Sequence, residues 1–589
     1  MKYSFNTIQT KLCTAGLLGL MALTAPIAHA QQQLPSKVDV SWNRYYDSDE
    51  MTTIIRDLVE AYPKLLTLES IGKSEQGRDM WLITLNNPET GEASTKPAMY
   101  IDGNVHGNEI QASETVLYSI WYLTKSHGKV EQLTELIDRV AFYFLPSQNP
   151  DGRAEWFANP NTPHSARTGQ RPSDNDFDGL LDEDPPEDLD GDGHITSMWK
   201  IDPNGRYRRN ELDPRIIERA PEGVQGTLTR LGSEGIDNDG DGRINEDGPG
   251  GYDMNRNWAS DWQPNYIQFG AGQHPFDSPE TKAVADFILE HPNIAAGQSY
   301  HNAGGMILRG PGAKYLDGLY PRSDRAVYDQ IGRAGEDLLP YYDYMVIHAD
   351  LYTVHGGLVN WLSEGLGIVS FTNELWTDSR IMPDPSREFS ATERMHWQDR
   401  MLFGQTFTDY TEHTHPTHGQ VLIGGGTKYS SRVTPPFMLE EACHRNFAFT
   451  MFHAGNMPEL AFKWIGVEQL DSGLWEITVE IENSKIIPTR LALAQRKKIG
   501  LPDLLTLDGA QTVLSGRIRD RHADSINAVT DRPGRLLIDA GIGGQSVSTF
   551  RFLVEGDEHD TITLSYTAEK ARDIEIEFTL KAGETELGK

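Results

Sequence analysis

Between residues 42 and 415 the chain switches repeatedly between a helical and a strand-like hydrophobic period. That alternation restricts its fold more than any other feature. Residues 49–62 have apolar side chains at helical spacing behind acids in the first turn, and strand patterns follow at 65–71 and 80–86. An apolar run at 98–105 ends at His106, a helix is expected over 112–124, and 140–145 reads again as a strand. Further on, 279–290 predicts a helix, 294–300 a strand ending at His301, and 367–375 a strand carrying Glu374. Elements in this order predict an α/β domain with helices on both faces of the sheet. In such sheets, sites gather where strands end.

A chain of 589 residues exceeds one ordinary domain, so two or three units are expected. Residues 1–30 read as a secretory signal peptide. Lys2 and Lys11 precede an apolar run over 15–23, and Ala28-His29-Ala30 supplies the small residues of a cleavage site. Export to a periplasmic or extracellular compartment follows, and no later stretch is apolar over the length of a membrane span. The formal charge is −33, and the leader holds two lysines and no acid, so its removal leaves −35. Such a surface repels nucleic acid and anionic membranes and attracts cations. Beyond the leader only Cys443 remains, which rules out an intrachain disulfide and predicts a small buried residue. Oligomeric state leaves no signature in the sequence.

Within the alternating region, 174–247 loses its period and gathers acids. Three clusters stand out: Asp174, Asp176 and Asp178; Asp188, Asp190 and Asp192; Asp237, Asp239 and Asp241. Each has acids at alternating positions and Gly179, Gly193 or Gly242 at position six, the first half of a calcium loop. The acid expected at position twelve is missing, since Pro185, Trp199 and Gly248 stand there. Calcium ions stapling an insertion are the expectation, because a long structureless loop needs some other source of order. Residues 416–455 read as a helical connector around a helix over 439–451. From 456 to 589 short strand patterns at 464–467, 475–481, 489–494, 536–538, 548–554, 561–566 and 574–580 predict an accessory all-β sandwich.

Chemistry points to His106, Glu109, His301 and Glu374. Two imidazoles and a carboxylate leave one tetrahedral position of a zinc ion open for water, and a second carboxylate beside them can take that water's proton. Gly103 and Gly107 let the backbone crowd close to such a centre. Glu374 lies in an apolar strand, where a charge is costly unless it is paired or functional.

The chain resembles the zinc carboxypeptidase family. The matching residues are His106 and Glu109; Asn149-Pro150-Asp151-Gly152; Asp253-Met254-Asn255-Arg256-Asn257-Trp258; Tyr300-His301; Tyr352; and Phe371-Thr372-Asn373-Glu374-Leu375. They stand in family order, and Tyr352 precedes Glu374 by 22 residues with Gly356, Gly357 and Trp361 between. The resemblance implies a mixed twisted sheet, and zinc on His106, Glu109 and His301. Asp253 would fix the tautomer of His106, and Glu374 would be the general base. Asn255 and Arg256 would grip the terminal carboxylate of a peptide, and Tyr352 would close over its last residue.

An arginine for the tetrahedral oxyanion is expected between the Asn149 turn and the Asn255-Arg256 pair, with Arg206, Arg208, Arg209 and Arg243 all open. Val359, fifteen residues before the base, suits an apolar C-terminal side chain, and Arg309 an acidic group. The implied activity is hydrolysis of the C-terminal bond of peptides. Two alternatives stand beside it: an amidohydrolase on the same scaffold, acting on cell-wall peptides or N-acyl amino acids, and a calcium-ordered binding protein with an inactive enzyme domain.

Overall fold

All nine residues of Ile294–Asn302 are buried, as a strand covered on both faces must be. That strand is at the centre of the main sheet. The computed structural model describes residues 34–174, 177–381, 389–520 and 525–585, so the expected signal peptide and Asp176 lie outside the described residues. Along the chain come β1 (Leu66–Lys73), β2 (Asp79–Leu85), β3 (Ala98–Gly103) and β4 (Ala141–Leu145). Next are β5 (Ser197–Ile201), β6 (Tyr207–Arg209), β7 (Ile217–Arg219) and β8 (Leu228–Ser233). Then follow β9 (Ile294–Asn302), β10 (Met306–Arg309), β11 (Asp343–Val346), β12 (Val369–Leu375), β13 (Phe407–His415) and β14 (Gly419–Gly426).

Eight of these strands form the main sheet in the order β1-β2-β4-β3-β9-β12-β10-β11. The sheet is mixed: β4, β3, β9 and β12 run parallel, while the flanking pairs β1/β2, β2/β4 and β10/β12 are antiparallel. Helices cover both faces. Ser48–Ala61, Gln111–Ser126, Arg322–Leu338 and Leu439–Gly455 bury apolar residues in one core with Met99, Ile101 and Phe371. Pro279–Glu290 packs on the other face against Tyr100, Tyr143 and Leu145. The helix expected over 279–290 thus forms at its full length, capped by the Ser278 side chain on Thr281 N.

The insertion corrects the sequence reading. Far from lacking regular structure, 174–247 contributes β5–β8 to a second, antiparallel sheet of order β13-β14-β5-β8-β6-β7. Two of those strands are three residues long, too short to carry a visible period. Likewise 416–455 is not helical throughout, because β14 occupies its first part. After residue 459 two sheets share one core, with Ile477, Val479 and Phe552 facing Leu505, Leu507 and Leu564. The strand Leu474–Asn483 alternates buried and partly buried residues, the period-two signature of one covered face. The strand expected at 489–494 is replaced by the helix Ala492–Lys497, whose first turn is held by Asp324 accepting from Ala492 N and Leu493 N. Residues 36–589 form one compact unit. Among the described residues no helix is long and apolar enough to cross a membrane.

Candidate active site

β3, β9 and β12 are parallel neighbours, so their C-terminal ends open on the same edge of the sheet. Beyond β3 the chain turns sharply through Asn104 at φ +59°, whose side-chain amide donates to the carbonyls of His106 and Gly107 at 2.7 and 3.0 Å. That turn faces His106 and Glu109 inward. At the end of β9 stands His301, and the register of β9 with β12 sets Glu374 directly beside it.

The three side chains meet at one point. His106 Nδ1 lies 3.0 Å from Glu109 Oε1, His301 Nδ1 lies 3.0 Å from Glu109 Oε2, and the two Nδ1 atoms are 3.2 Å apart. Donors of a tetrahedral zinc at bond lengths of about 2.0–2.2 Å are roughly 3.3–3.5 Å apart, so the triangle needs only a slight expansion to fit. His106 Nε2 faces Asp253 Oδ1 at 3.1 Å. A carboxylate there holds the proton on Nε2 and leaves Nδ1 free to ligate. The residues present therefore fit the ion that the donor chemistry suggests.

Gly107 matters for a reason the sequence reading missed. A Cβ on it would lie 2.3 Å from the Ala166 carbonyl oxygen and 2.6 Å from Gly152 Cα, so protein backbone crowds this position. Gly107 N also donates to Arg167 O at 3.0 Å. The Asn149-Pro150-Asp151-Gly152 motif is the start of the helix Pro150–Ala158, with Asn149 Oδ1 capping Gly152 N at 2.8 Å. The ligand turn, this cap and the segment before Arg167 are thus laced together.

On the far side, Asn255 and Arg256 sit in a short 3-10 turn that Asp253 caps. Asn255 Oδ1 accepts from Leu358 N at 3.0 Å. Gly356, at φ +64°, brings its backbone so close to Arg256 that a Cβ would lie 2.3 Å from the Arg256 carbonyl oxygen; only glycine serves there. The cleft of about 400 Å³ that contains the histidines also holds Asn255, Arg256, Tyr352, Val359 and Glu374. Val359 belongs to an apolar cluster with Leu308, Ile347 and Val354. Tyr352 is 52 % exposed at the rim. Burial and then the charge of Glu109 push Glu374 up to about 7, while His301, Arg167 and Arg432 pull it down.

The arginines depart from expectation. Arg206, Arg209 and Arg243 are exposed, and Arg208 pairs with Glu211 and Glu218 in the second sheet; none lines the cleft. The cleft instead contains Arg167, whose Nη1 donates to Glu109 Oε1 at 3.0 Å and whose Nη2 lies 3.5 Å from Asp253 Oδ2. It stands before the acidic stretch, fifteen residues after Gly152, which is the signal that could have found it. A second arginine, Arg432, also reaches Glu109 Oε1 at 3.0 Å and had no sequence signal at all. Arg309 does not line the cleft; Tyr320, Tyr328 and Tyr344 surround it.

The acidic clusters come together in part. Ligand atoms of Asp237, Asp239 and Asp241 lie within 4.8 Å of one another, as do those of Asp188, Asp190 and Glu234. Asp239 also groups with Asp178 and Glu183, and with Asp184 and Glu246. Asp174 and Asp192 instead accept backbone N–H bonds within their own loops. Glu234 is wholly buried and arrives from the end of β8, where a local motif cannot reveal it.

A model of the zinc carboxypeptidase family matches residues 51–190 and 217–399, more than half of the chain. The protein belongs to that family of metallopeptidases. It is 32 % identical over 109 residues to mouse carboxypeptidase M, covering 18 % of this chain and 25 % of that one. Over 118 residues it is 32 % identical to carboxypeptidase B of Astacus astacus, covering 20 % and 37 %. The solved carboxypeptidase A from Helicoverpa armigera is 18 % identical at a TM-score of 0.43, covering 71 % of this chain and 74 % of the other. Residues 459–579 match a domain of unknown function.

Proposed function

We propose that this protein is an exported zinc carboxypeptidase that removes the C-terminal residue from peptides. The observation that carries this reading is the presence, in one cleft, of the His106–Glu109–His301 cluster and the Asn255–Arg256 pair. His106, Glu109 and His301 would hold zinc, which when bound supplies a Lewis acid and makes hydroxide available near neutral pH. Asp253 keeps His106 in the ligating tautomer through the bond at Nε2. Arg256 and Asn255 bind the terminal carboxylate, the guanidinium through two parallel charge-assisted bonds. Val359 and its apolar neighbours receive the last side chain, and Tyr352 covers it from the rim.

Glu374 accepts the proton of the attacking water and hands it to the departing amine. Arg167 donates to the oxygen on which negative charge develops. Calcium at Asp188, Asp190 and Glu234, and around Asp237, Asp239 and Asp241, would order the insertion; oxygen-only donors in tight groups suit that ion. Export rests on the leader pattern of residues 1–30.

The test compares peptides with free and amidated C-termini, using the whole protein and a Glu374→Gln variant. Cleavage should require the free carboxylate, and the variant should lose roughly 10²–10⁴ in kcat, the range of general acid–base catalysis, with zinc content unchanged. Equal cleavage of the amidated peptide would favour the amidohydrolase reading, and undiminished hydrolysis by the variant would refute the assignment of the base.

A further inference from the structure

Arg432 lies outside both stretches matched to the family, yet its guanidinium reaches the cleft. Nη2 donates to Glu109 Oε1 at 3.0 Å and also to the carbonyl of Asn302. The loop that carries it leaves β14, an inner strand of the second sheet. Each side of that loop is fastened to the catalytic region. Lys428 Nζ donates to the carbonyls of Trp156 and Asn159 at 2.8 and 3.0 Å, Asn302 Nδ2 donates to Arg432 O at 3.0 Å, and Thr434 Oγ1 donates to Gln111 Oε1 at 2.8 Å. Arg432 itself adopts φ +69°, a backbone state sparse for any side chain and kept only where surroundings enforce it. The added sheet therefore presents one arginine to the cleft in a fixed pose.

The position of that arginine suggests what it meets. Asn255 is bonded to the 356–358 turn and Arg256 packs against it, whereas Arg432 is tied to Asn302 at the end of β9. On the carboxypeptidase reading, a peptide with its terminal carboxylate on Arg256 and its scissile bond over the histidines would leave its penultimate residue for the part of the same cleft that Asn302 and Arg432 line. Arg432 is 22 % exposed there, and its Nε is buried with no hydrogen-bond partner among the described residues.

We propose that Arg432 is a specificity-determining residue that binds a carboxylate on the residue just before the scissile bond, so that the enzyme prefers peptides with an acidic penultimate residue. This rests on the carboxypeptidase reading above. The test uses N-acylated dipeptides ending in phenylalanine, with glutamate, glutamine or lysine in the penultimate place. For the wild type, kcat/KM should fall in that order, glutamate exceeding glutamine by roughly tenfold, the scale of one charge-assisted hydrogen bond. Arg432→Gln should bring the ratio near unity, and Arg432→Lys should keep part of it. Calorimetry with the Glu374→Gln enzyme should rank the affinities alike, a readout independent of turnover. A wild-type glutamate-to-glutamine ratio of one, or a ratio unchanged in Arg432→Gln, overturns the proposal; if that variant does not fold, the wild-type series and Arg432→Lys decide. Absence of hydrolysis for every dipeptide would instead count against the carboxypeptidase reading, and the calorimetric ranking would still decide the role of Arg432.

Discussion

Asp253 and Arg167 lie 3.5 Å apart at their nearest charged atoms, yet removing each should have a different consequence. Asp253 faces the outer nitrogen of His106, so Asp253→Asn should weaken zinc binding by roughly 10–100-fold, the usual cost of losing such a partner. Competition against a chelator of known affinity measures it, and unchanged retention of zinc would refute the role. Arg167 lines the cleft beside the proposed reacting centre. Arg167→Gln should lower kcat by roughly 10²–10³ while KM moves little, since its bond to the oxyanion exists only in the transition state. A change confined to KM would show that Arg167 serves substrate binding.

At the level of elements, the calcium proposed for the insertion can be tested through its loops. Its loops are short turns whose acids accept their own backbone N–H groups, as with Asp188 toward Gly191 N and Gly193 N. Carboxylates packed this closely repel one another unless a cation lies among them. A calcium-selective chelator should therefore speed proteolysis within 174–247 several-fold and leave zinc content intact, as read by mapping the cut sites; an unchanged cleavage pattern would eliminate calcium there. The strands β5 and β8 should outlast the loops, because Trp199 and Leu228 pack against Leu422 of β14.

Across the whole molecule, the junction between the catalytic region and the C-terminal sheets includes a buried acid with no catalytic part. Glu364 is 1 % exposed, accepts from Ser260 Oγ at 3.0 Å, and its backbone carbonyl accepts from Lys497 Nζ at 2.5 Å. Burial pushes its carboxyl up to about 7. A folded-state value above the unfolded one means that this group stabilises most at low pH, below about 4.5, and loses that contribution as pH rises through about 7. The loss amounts to at most about 3 kcal/mol. Glu364→Gln should flatten the fall in Tm between pH 5 and pH 8 (roughly the span of this titration). Parallel curves for the two proteins would show that Glu364 does not titrate in that window.

The main sheet and most of the candidate site were legible in the sequence because both rest on local pattern. A strand that is buried on both faces is a continuous apolar run, and a polar residue at its end, such as His106 or His301, is conspicuous. Order along the chain then placed Asp253, Asn255, Arg256, Tyr352 and Glu374, and the structure brings all of them to one cleft or its wall. The second sheet was not legible, since four of its strands are only three to six residues long and the other two, β13 and β14, come from a segment some 200 positions away. For the same reason Arg432 and Glu234 were invisible: their neighbours are set by β14 meeting β5 and β8 meeting β5, and pairing between distant strands is decided by tertiary packing. Local pattern determined which residues could do chemistry; only the folded chain decided which cations surround them.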